Sequence, residues 1–237
     1  MSSPIQVFQN YYLNDIHGYT VTNDYGYDER RNDYREVFET TKNNKKYIIK
    51  IGRLNHSPDD LNLPFEQETE LCQKLYKMKL APEIIEKWQT YAINKETNKK
   101  IQVLCIVMHK WSTTYGAFKI ITQDPEIKIK ISENLYQLIY SPELGILPRF
   151  HKETEMIHGD MHADNVLLNV NEKGIPYEAT LIDFECAKST KNQEIIEQIY
   201  PFWHCMSHVY PTIEAYELGR LHCTSIYNSV APFVTIF

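Results

Sequence analysis

The sequence has no long apolar run: the longest stretch, Val103 to Met108, is far too short to cross a bilayer. Its first ten residues, MSSPIQVFQN, lack both the basic start and the apolar core of a secretory leader. No membrane partner is expected, and the expected compartment is the cytosol, or the host cytosol if a pathogen or virus encodes the chain. Basic charge is not in excess either. A net charge of −6 argues against a general nucleic-acid binder, which would carry a basic face. Paired cysteines are absent: Cys72, Cys105, Cys186, Cys205 and Cys223 are odd in number and contain no CxxC, so reduced thiols are expected. His204, Cys205, His208, His222 and Cys223 match no established zinc spacing. Internal repeats and low-complexity linkers are missing as well.

What remains is an ordinary globular composition, 43% hydrophobic and 24% charged, in 237 residues. That length suits one large domain or two small lobes. The first third reads as strands: GYTVTN and REVFETT flank a polar loop, Asp24 to Tyr34, and YIIKIG follows the turn TKNNKK. A helix opens after Pro64, with acids in its first turn, and is expected to run to just before Pro82. EKWQTYAI and IQVLCIVM read as a hairpin across Asn94 to Lys100. Beyond Trp111 helices are expected over Ile127 to Tyr140 and Leu144 to Lys152, the second kinked or divided at Pro148. NVLLNV and ATLIDF then flank the turn NEKG, and the last residues, from Phe184 on, read as mostly helical and irregular.

Polar chemistry concentrates in HGDMHADNVLL, His158 to Leu168, where two histidines, two aspartates and an asparagine precede an apolar strand. Three further features complete an ordered set: Lys50 within a strand, an acid on the following helix, and Asp183 in LIDF. A lone strand lysine can simply place its ammonium at a sheet edge. On the helix Glu66, Glu68 and Glu70 compete. Leu71, Cys72 and Leu75 lie three, four and seven residues after Glu68, so Glu68 shares the buried stripe. The same offsets from Glu70 give Gln73, Lys74 and Lys77, an exposed face, leaving Glu66 and Glu70 as solvated surface acids.

In this order and spacing the set resembles the protein-kinase-like superfamily, with a catalytic loop similar to that of aminoglycoside phosphotransferases. The resemblance runs from about Gly18 to Lys188. It implies an α+β fold with a β-rich N-lobe, about 1–110, and a short, mostly helical C-lobe, about 111–237, forming a single domain. It also implies ATP and Mg²⁺ as cofactors. Lys50 then contacts the nucleotide phosphates and pairs with Glu68; Asp160 acts on the acceptor's proton; Asn165, five residues on, and Asp183 bind the metal. Oxygen donors suit magnesium, which histidines do not. His158 shapes the loop, His162 meets the γ-phosphate or the acceptor, and Asp164 is a loop-stabilising acid rather than a third metal ligand. In IVMHKW, Met108 borders the nucleotide pocket, while His109 and Trp111 offer backbone groups to the purine.

The pattern also departs from the superfamily. The phosphate-covering stretch NDYGYDERRND has one glycine, Gly26, and its acids Asp24, Asp28, Glu29 and Asp33 repel phosphate unless Arg30 or Arg31 compensates. Gly159 replaces the arginine that pairs with a phosphorylated activation loop, implying a site competent without such modification. Glu185 stands where protein kinases carry the glycine of DFG. Small-molecule kinases usually build their acceptor pocket from a long insertion between hinge and catalytic loop, and here the segment from Trp111 to His158 is short. The resulting expectation is a minimal kinase that phosphorylates Ser/Thr hydroxyls of a protein. A small-molecule kinase of the aminoglycoside or choline type, a pseudokinase binding module, and nucleotidyl transfer are the alternatives.

Overall fold

The computed structural model describes residues 4–8, 10–27, 35–54, 63–141 and 143–189. Contacts divide the chain into two compact units, residues 1–77 with 82–110, and residues 78–81 with 111–237. Each is described in turn.

The first unit is one antiparallel sheet and one helix. The strands are β1 (Ile5–Val7), β2 (Tyr11–Leu13), β3 (Thr20–Tyr27), β4 (Arg35–Lys42), β5 (Lys45–Arg53), β6 (Ile84–Asn94) and β7 (Lys100–His109), and α1 spans Phe65–Lys77. Their order in the sheet is β1-β2-β6-β7-β5-β4-β3. β4 and β5 are joined by a two-residue turn, Asn43 and Asn44, both at positive φ, which asparagine tolerates better than most side chains. Alternation then sorts the two faces of the sheet. One face buries Phe38, Ile49, Ile51, Val103, Cys105 and Val107 with Val7, Phe8 and Leu13 of the N-terminal segment. The other carries Lys50, whose neighbours across the sheet are Val37 and Ile106.

Four readings of this unit need correction. β1 and β2 went unread, being three residues each and lacking a clear alternation. The loop expected from Asp24 begins later, because β3 continues to Tyr27 through an irregular register around Gly26, at φ 84°. Arg30 and Arg31 lie outside the described residues. Finally, α1 stops at Lys77, and Lys79 turns left-handed, at φ 59°, before the buried Leu80. Glu66 is half-buried rather than solvated, whereas Glu70 is exposed.

A buried carboxyl in the first core supplies a test of this packing. Glu36 accepts from the Phe8 N–H at 2.5 Å, and its Oε2 has no partner among the described residues. Burial pushes its pKa up to about 7, against the lowering pull of that N–H. The folded state therefore binds the proton more tightly than the unfolded chain does. The associated stability is complete below pH 4.5, falls as pH rises, and is lost above 7. Glu36→Gln should raise unfolding free energy by about 2–3 kcal/mol at pH 8 and leave it nearly unchanged at pH 4.5. Denaturant titrations at the two pH values check this; an equal effect at both would show that Glu36 is not a buried, protonatable group.

The second unit builds three small pairings around two helices. β8 (Thr113–Thr114), α2 (Pro125–Leu135), α3 (Ile146–Thr154), β9 (Met156–Ile157), β10 (Val166–Val170), β11 (Pro176–Leu181) and β12 (Lys188–Ser189) follow in order. β10 pairs with β11 and β8, and β9 with β12, all antiparallel. Asp124 caps α2 by accepting from the Glu126 and Ile127 N–H groups, with Pro125 in the first turn. One π-helical turn, Tyr136–Tyr140, extends it. Pro148 does not divide α3. It lies in the first turn, where a backbone N–H has no helical acceptor to lose. Residues 78–81 pack with this unit: the Met78 carbonyl accepts from Arg149 and the Leu80 carbonyl from the Leu181 N–H. No helix among the described residues is long and apolar enough to cross a membrane. The chain beyond Ser189, with its expected helices and with His204, Cys205, His208, His222 and Cys223, lies outside the described residues.

Candidate active site

Lys50 points from β5 to the helix side of the sheet, and its Nζ lies 2.8 Å from Glu68 Oε1. The helix is seated by Phe65, which is buried against the Gly52 backbone; a Cβ at position 52 would run into the Phe65 ring. With that seat fixed, the next turn presents Glu68 to the sheet, buried beside Thr69 and Cys72. Glu66 and Glu70 do not take this place. A cation that the sequence did not single out also reaches Glu68: Arg35 donates from Nη1 to Oε2 at 2.6 Å.

Farther along the same sheet, Met108 packs with Leu54, Phe65, Leu104 and Ile106. His109 stacks on Tyr47, ring centroids 5.4 Å apart. Just beyond, Lys110 pairs with Glu39 at 2.5 Å, and Tyr25 donates to the same carboxylate oxygen. Lys110 and then Tyr25 hold the Glu39 carboxyl down at about 2. Trp111 is assigned to the second unit and is half-buried.

In the second unit the loop between β9 and β10 meets the end of β11. Carboxylate oxygens of Asp160, Asp183 and Glu185 lie within 4.8 Å of one another. Asn165 donates from Nδ2 to the Asp160 carbonyl at 2.7 Å, which leaves Oδ1 as the amide atom that could accept a cation. All four donors are oxygens, a set that fits a hard divalent cation such as magnesium. Asp183 adopts left-handed backbone geometry, φ 64°, which is uncommon for a residue with a side chain. The residues beside it are pinned. Ile182 N–H donates to the Asn165 carbonyl at 3.0 Å, and Phe184 is fully buried with its ring 5.8 Å from that of Phe150.

His158 is buried and its Nε2 donates to the Ile182 carbonyl at 2.8 Å, tying the loop to the strand end. Burial holds its pKa below the usual histidine range, so the ring is neutral near pH 7. His162 caps the short 3-10 turn Ala163–Asn165, its Nδ1 accepting from the Asp164 N–H at 3.2 Å. With Nδ1 accepting, the ring N–H is on Nε2, which lies 3.8 Å from Asp160 Oδ2. Asp164 accepts from the Thr114 hydroxyl at 2.9 Å, a bond that holds β8 to the loop. It stands apart from the three-acid cluster. Glu185 was read from sequence only as a departure from DFG; its signal was an acid two residues after Asp183 in an otherwise apolar stretch.

Comparison with known proteins supplies the lineage. The family model described as "Ecdysteroid kinase-like family" matches residues 62–191, more than half of the chain. The chain belongs to the ecdysteroid kinase-like family. Its α+β, kinase-like fold follows from that membership, and the matched region holds Glu68, Asp160, Asn165 and Asp183, beginning after Lys50. Among solved structures, the Cydia pomonella granulovirus kinase PK-1 aligns with 73% of this ecdysteroid kinase-like chain at 13% identity, with a TM-score of 0.41. The chain covers 55% of that viral protein's length. A search of curated proteins gives no match.

Proposed function

We propose that this ecdysteroid kinase-like protein is an ATP- and Mg²⁺-dependent phosphotransferase to an alcohol hydroxyl, and that its acceptor is a small hydroxylated molecule. The observation that carries the reading is the convergence of Asp160, Asp183 and Glu185 oxygens, with Asn165 alongside. Asn165 and Asp183 would hold Mg²⁺, which when bound neutralises charge on phosphate oxygens. Lys50, held by Glu68, supplies a fixed cation for the nucleotide phosphates. Met108 lines the purine site, and His109 and Trp111 offer it backbone groups. Asp160 accepts the proton of the acceptor hydroxyl as its oxygen bonds to the γ-phosphorus and the bond from phosphorus to the ADP oxygen breaks. His162 presents Nε2–H on the Asp160 side, where it can donate to a phosphoryl oxygen.

Family membership favours the small acceptor, because the family takes its name from kinases of ecdysteroids. Transfer to protein hydroxyls is the second reading. The short segment between Trp111 and His158 favours it, since that leaves few residues to enclose a small molecule. The test is incubation with γ-labelled ATP, Mg²⁺, a cell lysate and a panel of polyhydroxylated sterols. Label in a dialysable fraction or on a sterol supports the proposal, and label confined to protein supports the second reading. Label from α-labelled ATP would show nucleotidyl transfer, and no label in any fraction would leave a binding module.

A further inference from the structure

Glu68 carries two cations. Its Oε1 accepts from Lys50 Nζ at 2.8 Å, and its Oε2 accepts from Arg35 Nη1 at 2.6 Å. The register explains why Arg35 can reach it. Arg35 pairs with Gly52 and Val37 with Lys50, so Arg35 and Lys50 emerge on one face of neighbouring strands. The Arg35 side chain is 9% exposed. Its other arm, Nη2, donates at 2.9 Å to the carbonyl of Leu63, two residues before the first residue of α1. The guanidinium also lies 5.4 Å from the centre of the Phe65 ring. One side chain thus holds the start of the helix, its seating aromatic and the carboxylate that faces Lys50.

We propose that Arg35 is a positioning residue that locks α1, through Glu68 and Leu63, in the register that aims Lys50, so that the pair is assembled without an activating modification. A planar fork with fixed donors suits this task, because it satisfies a carboxylate and a carbonyl at once.

The functional half of this inference rests on the phosphotransferase reading, so its experiment has two arms. In the first, amide hydrogen exchange is followed without nucleotide. R35Q should speed exchange in residues 66–72 at least tenfold and leave the β6–β7 hairpin unchanged; unchanged exchange in α1, or a rise throughout the unit, would overturn the lock. In the second, kcat/KM for Mg·ATP is measured in a cycle of R35Q, E68Q and the double variant. R35Q should lose roughly 10–100-fold in the native background but less than about threefold when Glu68 is already replaced, and R35K should recover part of the loss. Additive losses would show that Arg35 does not act through Glu68. If R35Q fails to fold, R35K carries both arms, with smaller changes in the same directions. Absence of transfer by the native protein would sink the phosphotransferase reading, and hydrogen exchange then decides the lock by itself.

Discussion

Asp160→Asn should lower turnover by roughly 10²–10⁴-fold while changing Mg·ATP affinity by less than about threefold. Asparagine preserves the shape of the side chain and can still accept hydrogen bonds. It cannot take up the acceptor's proton. Three bonds that shape the surrounding loop do not use that side chain: Asn165 grips the backbone carbonyl of Asp160, His158 grips Ile182, and the Asp164 N–H is capped by His162. A folded variant with a native melting curve is therefore expected. Single-turnover phosphoryl transfer and calorimetric titration with Mg·ATP separate the two effects. Equal turnover in variant and native protein would remove Asp160 from the chemistry.

The second large effect is structural and falls on the adjacent residue. Gly159→Ala should cost about 2–4 kcal/mol of stability and abolish most of the activity. Gly159 sits at φ 80°, where a side chain is strained, and a Cβ there would run into the backbone carbonyl of Cys186. That backbone cannot retreat easily. Lys188 and Ser189 pair with Ile157 and Met156, and buried Phe184 rests near Phe150 and His158. Displacing it would move Asp183 and Glu185 away from Asp160. Gly174→Ala is the matched control, since φ is 73° there but nothing lies within 4 Å of a Cβ. It should cost only about 1 kcal/mol, the backbone strain alone. Denaturant unfolding of both variants measures the difference, and equal losses would show that contact with Cys186 does not matter.

Gly159 also gives a physical reason for a departure noted in the sequence. An arginine at this position would need both a left-handed backbone and the space filled by Cys186. The local geometry excludes it, independently of any need to bind a phosphorylated loop.

Much of the arrangement was legible locally. Strand-like runs bounded by polar turns marked β4, β5 and the β6–β7 hairpin, and the helical stripe placed Glu68 rather than Glu70 on the side of Lys50, because both signals lie within a short local segment. The loop HGDMHADN and the acid of LIDF were readable for the same reason, as short motifs of fixed spacing. Where local rules were applied without context they misjudged. Pro148 breaks a helix only in its interior, and in α3 it falls in the first turn, which the sequence could not locate within a few residues.

Tertiary structure alone decided the rest. Arg35 and Glu68 are far apart in the chain, and only the β4–β5 register together with the seat of Phe65 on Gly52 brings them to 2.6 Å. Glu185 joins Asp160 and Asp183 because the 3-10 turn after Asp183 carries its carboxylate back toward the loop, held there by the β9–β12 pairing. Spacing along the chain determines which side chains share an element and a face. Which faces meet depends on strand register and on packing between distant segments, and those contacts leave no periodic trace in the sequence.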